Sequence, residues 1–475
     1  MTGQPPRFLY RTLVDKLTGL IDRGVLRPGE RLPSLRRIAG DERVSLTTAL
    51  QAYGVLESLG YIEARPRSGY RVCDTGGPLP EVPATSVPDG RSAPVDVGDL
   101  VADLLRGGQN PDLIPLGAAT PGGDLLPRRA MDRLLTAAIR RSGRAGEPDS
   151  SFPPGEPDLR RQIARRSLEW GGGLDPDGIL VTAGGTQAID LCLRAVTGPG
   201  DLVAVESPCY FGILLLLEAL GLPVIEIPTH SGEGIRLDSL AAALASHDIR
   251  ACVLSPCFSN PLGSRMPDGA KRDLVAMLRR RGIPLIEDDT YGELCHRGPR
   301  PRPAKAFDAD GLVMLCSSFS KILAPGYRIG WVAPGRFRDR VERLQLASTL
   351  AAPGIFQRAV SGFLESGAYD RHLRRLQSAA GDQCRRMAGA IGALFPAGTR
   401  VTRPDGGILL WVELPDGVDA IDLSRRALAA GIGVCPGPVF SATGRYRNFI
   451  RLNAGCPWSP VLEQALARLS GIVRQ

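Results

Sequence analysis

SSFSKILAPGYRIGW, residues 317–331, follows the apolar run LVMLC at 312–316, so Lys321 falls in a loop just beyond the end of a strand. Ser318 and Ser320 precede this lysine, and Arg328 follows it by seven residues. A lysine buried in such a loop can form a Schiff base with an aldehyde cofactor, while paired hydroxyls and a guanidinium suit a phosphate. In isolation a solvated lysine is the simpler reading. The composition favours the chemical one: of 58 basic residues only Lys16, Lys271, Lys305 and Lys321 are lysines, so a chain biased towards arginine has kept lysine here.

Outward from this segment, short apolar runs alternate with helical patterns. GILVTAGG (178–185) leads into TQAIDLCLRAV (186–196), followed by DLVAVESP (201–208), PVIEIP (223–228), ACVLSP (251–256), GIPLIEDD (282–289) and RIGWVAP (328–334). This alternation predicts an α/β fold with a mainly parallel sheet covered on both faces and ligands at the carboxyl ends of its strands. Asp288 lies directly after one apolar run, where an unpaired carboxylate is costly, so a cationic partner is expected. Gly185 and Thr186 open a helix after a strand and can offer amides to a phosphate, although a Gly-Gly turn is more often structural.

The first 73 residues have another pattern. Leu9, Leu13, Leu17, Leu20 and Ile21 recur at helical spacing, and Ser34 caps a short second helix over 35–42. Ser45 caps a third helix that is expected to turn Leu46, Ala49, Leu50, Tyr53, Leu56 and Leu59 towards a core. YIEAR (61–65) and YRVC (70–73) alternate as two strands joined by PRSG, with Arg65 and Arg67 near the tip. Three helices and a basic hairpin make a winged helix-turn-helix. Twelve basic residues against seven acidic ones leave this unit at +5 of the chain's +8, which with the hairpin favours DNA binding, although a basic packing or dimerisation module remains the alternative.

Between the two lies DTGGPLPEVPATSVPDGRSAPVDVG (74–98), with five prolines, read as a semi-extended linker that packs poorly. The division is therefore 1–73, 74–98 and 99–475. At 475 residues the chain is about three times a usual domain of roughly 150. FGILLLLEAL (211–220) is interrupted by Glu218 and is short of the ~20 residues that cross a bilayer, so no membrane association is expected. MTGQPPRFLY has no apolar signal core, which points to a cytoplasmic location. Ten cysteines without a C-x-x-C pair and four histidines without ligand spacing predict buried free thiols and no metal.

Taken in order, these motifs carry a resemblance. Residues 99–475 resemble the fold-type I, pyridoxal-phosphate-dependent aminotransferases, with a large parallel-sheet subdomain and a small C-terminal α+β subdomain. The N-terminal 73 residues resemble the GntR winged-helix domain, and their fusion through a proline-rich linker resembles the MocR family of regulators. The resemblance implies pyridoxal 5'-phosphate in Schiff-base linkage to Lys321, with Asp288 on its pyridinium nitrogen and Tyr291 and Asn260 on its ring phenolate oxygen. It also implies Tyr210 stacked on the ring, Gly185, Thr186, Ser318, Ser320 and Arg328 around the phosphate, and Arg451 in NFIRLNAG on a substrate α-carboxylate.

On the DNA side the resemblance implies that Thr47, Thr48 and Gln51 face the groove beside Ser45. Arg36 would lie on the backbone, and Arg67 and Gly69 at the wing. It further implies a head-to-tail homodimer, an operator DNA partner, and an amino acid or amine effector. Three positions depart from the family. Ser150 stands where many relatives carry a tyrosine that reaches the neighbouring subunit's cofactor phosphate, Leu46 where many carry arginine, and Arg43 where many carry glycine. Left-handed geometry at Arg43 would be strained. The leading reading is a regulator that senses pyridoxal phosphate or an amino compound. A working aminotransferase with an appended DNA-binding domain is the alternative, and a degenerate fold that binds neither DNA nor cofactor is the third.

Overall fold

The computed structural model describes residues 9–475 apart from 23–24, 59–60, 66–68, 74–78, 109, 143–151 and 297, so Arg67, Leu59 and Ser150 lie outside the described residues. The chain divides into two compact units, Met1–Pro80 with Arg385–Phe395, and Glu81–Cys384 with Pro396–Gln475.

In the first unit α1 (Leu9–Asp22), α2 (Leu35–Asp41) and α3 (Leu46–Ser58) precede the antiparallel strands β1 (Ile62–Arg65) and β2 (Gly69–Val72). Leu13 and Leu17 share one core with Ile38, Ala49, Ala52, Tyr53, Leu56, Ile62 and Val72. Ser34 accepts from the Arg37 amide at 3.3 Å and Ser45 from the Thr48 amide at 3.0 Å, which satisfies a donor at the start of α2 and of α3. The expectation that Leu46 and Leu50 point inward fails, because they are 52% and 51% exposed. The buried stripe of α3 runs through 49, 52, 53 and 56, and at about 100° per residue positions 46 and 50 fall beyond its edge. Arg43 takes the strained left-handed geometry, with φ 51°.

In the second unit nine strands form one sheet: β3 (Ser92–Ala93), β4 (Leu180–Thr182), β5 (Leu202–Ser207), β6 (Val224–His230), β7 (Gly234–Ile235), β8 (Ile249–Leu254), β9 (Leu285–Asp288), β10 (Val313–Ser318) and β11 (Gly330–Ala333). Their order is β3-β6-β5-β8-β9-β10-β11-β4, with β7 on β6. From β6 to β10 all pairs are parallel, and β11 runs antiparallel between β10 and β4. Alternation along β5 divides the core: Val203 and Val205 pack with helix Gly185–Val196, while Ala204 packs on the other face with Leu240 and Leu274. Burial on both faces explains why these strands read as nearly continuous apolar runs.

A second sheet, all antiparallel, joins β12 (Arg400–Val401), β13 (Leu409–Glu413), β14 (Cys435–Pro436) and β15 (Phe449–Asn453) in the order β12-β13-β15-β14. With helices Ala420–Ala429 and Pro460–Val473 it makes the smaller subdomain. Residues 81–97, read from sequence as part of a poorly packing linker, pack on this unit instead. Ser92–Ala93 pairs with β6, Val95 and Val97 are buried, and the Glu81 carbonyl accepts from the Val401 amide at 2.8 Å. Proline bars a helix here but not an extended strap, and the valines and serines between the prolines supply its contacts. Among the described residues no helix is long and apolar enough to cross a membrane.

Candidate cofactor site and DNA-reading face

Asp288 ends β9, and Gly185, Tyr210, Asn260 and Lys321 follow the carboxyl ends of β4, β5, β8 and β10, where an open parallel sheet places its ligands. Lys321 is half-buried. Burial, then the positive charges of Arg451 and Arg328, hold its ammonium well below the usual lysine range, at about 8, while Asp288 acts in the opposite sense. Burial pushes the Asp288 carboxyl up, and bonds from Thr290 together with the Lys321 charge offset this. The Thr290 amide and hydroxyl reach Asp288 Oδ1 at 3.0 and 2.6 Å. Lys321 is the cation whose charge acts on Asp288, and among the described residues no ion pair within 4 Å joins the two.

Beside them the backbone forms a tight cradle. Gly184 has φ 92°, and a Cβ there would lie 2.5 Å from Arg328 Nη2. A Cβ on Gly330 would lie 2.5 Å from the Gly184 carbonyl carbon. The Ser318 hydroxyl donates to Ser320 Oγ at 3.0 Å, and Arg328 Nη1 donates to the same oxygen at 3.4 Å. Arg328 is left-handed, with φ 52°. Gly185 begins the helix Gly185–Val196, and Thr186 is exposed in its first turn. A helix start, two hydroxyls and a guanidinium together could hold an anion.

Arg451, on β15, is 2% exposed. It donates through Nη1 to Asn260 Oδ1 at 3.1 Å and through Nη2 to the Gly117 carbonyl at 2.6 Å. Its guanidinium carbon lies 5.2 Å from the centre of the Phe440 ring and 5.7 Å from that of Phe211. Among the described residues its buried Nε has no hydrogen-bond partner. Tyr291 donates to the Ala119 carbonyl at 3.1 Å, and burial pushes its phenol up. Tyr210, half-buried against Phe211 with ring centres 4.8 Å apart, is also pushed up by burial.

Sequence reasoning missed four features. Gly117 and the Phe211 and Phe440 rings hold Arg451 from segments without any motif. Glu206 is buried at the carboxyl end of β5, and burial pushes it up to about 8 against the Ser255 amide, which donates to it at 3.1 Å. A glutamate inside the apolar run VAVES was the signal available for it. Asp289 is paired with Arg300 in the interior. An apolar cavity of about 390 Å³, lined by Leu104, Leu113, Phe211 and Leu428, opens beside Gly117. Among the described residues no histidine, cysteine and carboxylate cluster could hold a metal.

On the first unit Thr47 and Gln51 are exposed on α3 together with Leu46 and Leu50, and Arg36 is exposed on α2. The Ser45 and Thr48 hydroxyls lie 2.8 Å apart, so both are engaged at the cap. Gly69 has φ 77° and starts β2, where a Cβ would lie 3.4 Å from Arg31 Nε. The positive φ selects glycine there.

Residues 112–469 match the aminotransferase class I and II family, and residues 9–72 match the bacterial regulatory proteins of the gntR family. The chain is 39% identical to the uncharacterized HTH-type transcriptional regulator YdcR of Escherichia coli (strain K12), over 98% of this chain and 99% of YdcR. It is 31% identical to the 2-aminoadipate transaminase of Thermus thermophilus, over 74% of this chain and 88% of that enzyme. The solved structure of LysN, the α-aminoadipate aminotransferase of Thermus thermophilus complexed with N-(5'-phosphopyridoxyl)-L-leucine, matches with a TM-score of 0.72 at 27% identity, covering 79% of this chain and 94% of LysN. The chain thus belongs to the aminotransferase class I and II family, in the MocR-type arrangement that begins with a GntR domain.

Proposed function

We propose that this protein is a DNA-binding transcription regulator whose body holds pyridoxal phosphate on Lys321 and responds to it or to an amino compound. The observation that carries this reading is the convergence of the charges of Asp288, Arg328 and Arg451 on Lys321, in a chain that begins with a winged helix. Residues 1–73 read DNA, residues 99–475 bind the ligand, and of the connecting 74–98 the part from Glu81 packs on the ligand-binding body, in a cytoplasmic head-to-tail homodimer.

The residues fit the group. The cradle, in which a Cβ on Gly184 or Gly330 would clash at 2.5 Å, suits a phosphate, with Ser318, Ser320, Arg328 and the amides of Gly185 and Thr186 around it. The orphaned Nε of Arg451 lacks an acceptor that a carboxylate would supply. When bound, pyridoxal phosphate supplies an aldehyde that condenses with an amine and a ring that withdraws electrons. Lys321, its ammonium held at about 8, offers a neutral Nζ at ordinary pH far more readily than a solvated lysine. Asp288 balances a protonated ring nitrogen, and Tyr210 gives the ring a face to stack on. Asn260 and Tyr291 orient the ring oxygen, and Arg451 holds the carboxylate of an amino effector. The cavity beside Gly117 and Phe211 favours an effector with an apolar side chain.

The intact pairing of Arg451 with Asn260 also favours a second reading, an aminotransferase that bears a DNA-binding domain. Incubation of the loaded protein with a panel of amino acids separates the two: conversion of cofactor to its aminated form supports the enzyme, and no conversion with any donor sinks it. For the DNA reading, Arg36→Ala is expected to lower affinity on all sequences and reduce the salt slope by about 1. Gln51→Ala is expected to cost about 1–3 kcal/mol on the operator alone. Equal loss on specific and random DNA for Gln51→Ala would remove α3 as the reader.

A further inference from the structure

We propose that residues 81–93 form a strap coupled to the cofactor-binding loops through the Tyr446 hydroxyl, so that ligand at Lys321 changes how firmly the strap is held. This rests on the reading of the body as a ligand sensor. Three hydroxyls and one carboxylate make the connection. Ser86 Oγ, on the strap, donates to the Ser207 carbonyl at 3.1 Å, and Tyr446 OH donates to Ser86 Oγ at 2.8 Å. Tyr446 OH also lies 2.7 Å from Ser207 Oγ, which itself donates to Glu226 Oε2 at 2.7 Å. A second strap contact runs from Arg445 Nη1 to the Val87 carbonyl at 3.0 Å.

The Ser207 proton is committed to Glu226, and a phenol has one proton to give. Tyr446 therefore donates either to the strap, at Ser86, or to the end of β5, at Ser207. That is a two-state element, and both of its outcomes touch the ligand site. Ser207 lies three residues before Tyr210, which faces the cofactor ring. Glu226 Oε1 accepts from Ser441 Oγ and from the Ala442 amide, each at 2.8 Å, fixing the turn that carries Phe440. Phe440 covers the Arg451 guanidinium, and its carbonyl accepts from the Cys209 amide at 2.8 Å. Tyr446 itself sits in a left-handed backbone, φ 62°, sparsely populated by non-glycine residues and sustained by its surroundings. Movement of Tyr210 or Arg451 on ligand binding thus bears on Ser207 and the 441–446 loop, hence on the proton that ties down Ser86. Pro80, the last residue of the DNA-reading unit before it gives way to the strap, is joined to it directly through Glu81.

Hydrogen–deuterium exchange of the full-length protein, with and without saturating pyridoxal phosphate, reads the strap directly in peptides covering 81–93. Loading is first confirmed by the visible band of the lysine-bound cofactor. We expect strap amides of the wild type to change exchange rate by at least about fivefold on loading. In Tyr446→Phe, and independently in Ser86→Ala, the band should persist while the change falls below about twofold. Strap exchange that is the same in loaded and unloaded wild type, or a full response in both variants, overturns the coupling. A strap that responds while operator affinity is unaffected by the cofactor upholds the coupling and overturns the regulator reading.

Discussion

Arg451 and Asn260, 191 residues apart in the chain, are joined by a 3.1 Å hydrogen bond from the guanidinium to the side-chain oxygen. The bond links strand β15 of the small sheet to the loop that follows β8 of the large one, so the group assigned to a substrate carboxylate and the group assigned to the cofactor ring are not independent. With the Gly117 carbonyl on Nη2, two of the fork's donors are fixed, and Nε has no hydrogen-bond partner among the described residues.

Arg451→Lys should therefore lower amino-acid affinity much more than cofactor affinity, which it reaches only through Asn260. An ammonium keeps the charge but loses the planar fork, at about 2 kcal/mol or roughly 30-fold. Titration of loaded protein with amino acids, followed by the change in its visible band, measures this, and an unchanged affinity would remove Arg451 from the effector site.

Capture of cofactor by the unloaded protein should speed up as pH rises and level off above about 8, where burial and the charges of Arg451 and Arg328 hold Lys321. The neutral amine is the form that reacts, so each pH unit below that point removes about tenfold of it. Arg328→Gln takes away one of those charges and should move the plateau to higher pH. Stopped-flow mixing at a series of pH values gives both curves.

Glu206 should make the protein less stable as pH rises from about 4 to 8. Burial raises its folded pKa to about 8, whereas the unfolded carboxyl titrates near about 4.3, so the folded state holds the extra proton in between. The stabilising contribution is present below that range and lost through it. Glu206→Gln keeps an acceptor for the Ser255 amide and should gain on the order of 3 kcal/mol at pH 9. A residual slope should remain from Glu287 and Asp289, which burial pushes to about 7 and about 6. Denaturant midpoints across pH provide the check.

Arg43→Gly should stabilise the protein by about 1 kcal/mol, because an arginine at φ 51° carries the left-handed penalty that glycine escapes. A lower melting temperature in this variant would mean that the Arg43 side chain holds more of the turn than its exposure suggests.

How much of this was legible in the sequence follows from how far each contact reaches. Lys321, Asp288 and Gly185 could be placed because each lies at or just beyond the end of an apolar strand run, and the sheet then brings all three to the carboxyl ends of its strands. The grip of the Gly117 carbonyl on Arg451 spans 334 residues and two sheets, and no local pattern encodes it. Leu46 and Leu50 were misplaced because helical spacing defines a stripe but not its edges, and the core of the unit fills with Ala49, Ala52, Tyr53 and Leu56. The strap was read as a linker because proline content reports what a segment cannot form. Its acceptor at Ser207 and its donor at Tyr446 lie in parts of the chain that folding alone brings near.

The most direct test of the central claim is the affinity of the full-length protein for its own upstream DNA at fixed salt, with and without pyridoxal phosphate, in wild type and Lys321→Ala. A shift of at least about fivefold in the wild type, absent in Lys321→Ala, is the expected result. Specific binding with the same affinity in loaded and unloaded wild type would contradict it, since the body would then hold its cofactor without informing the DNA-reading unit.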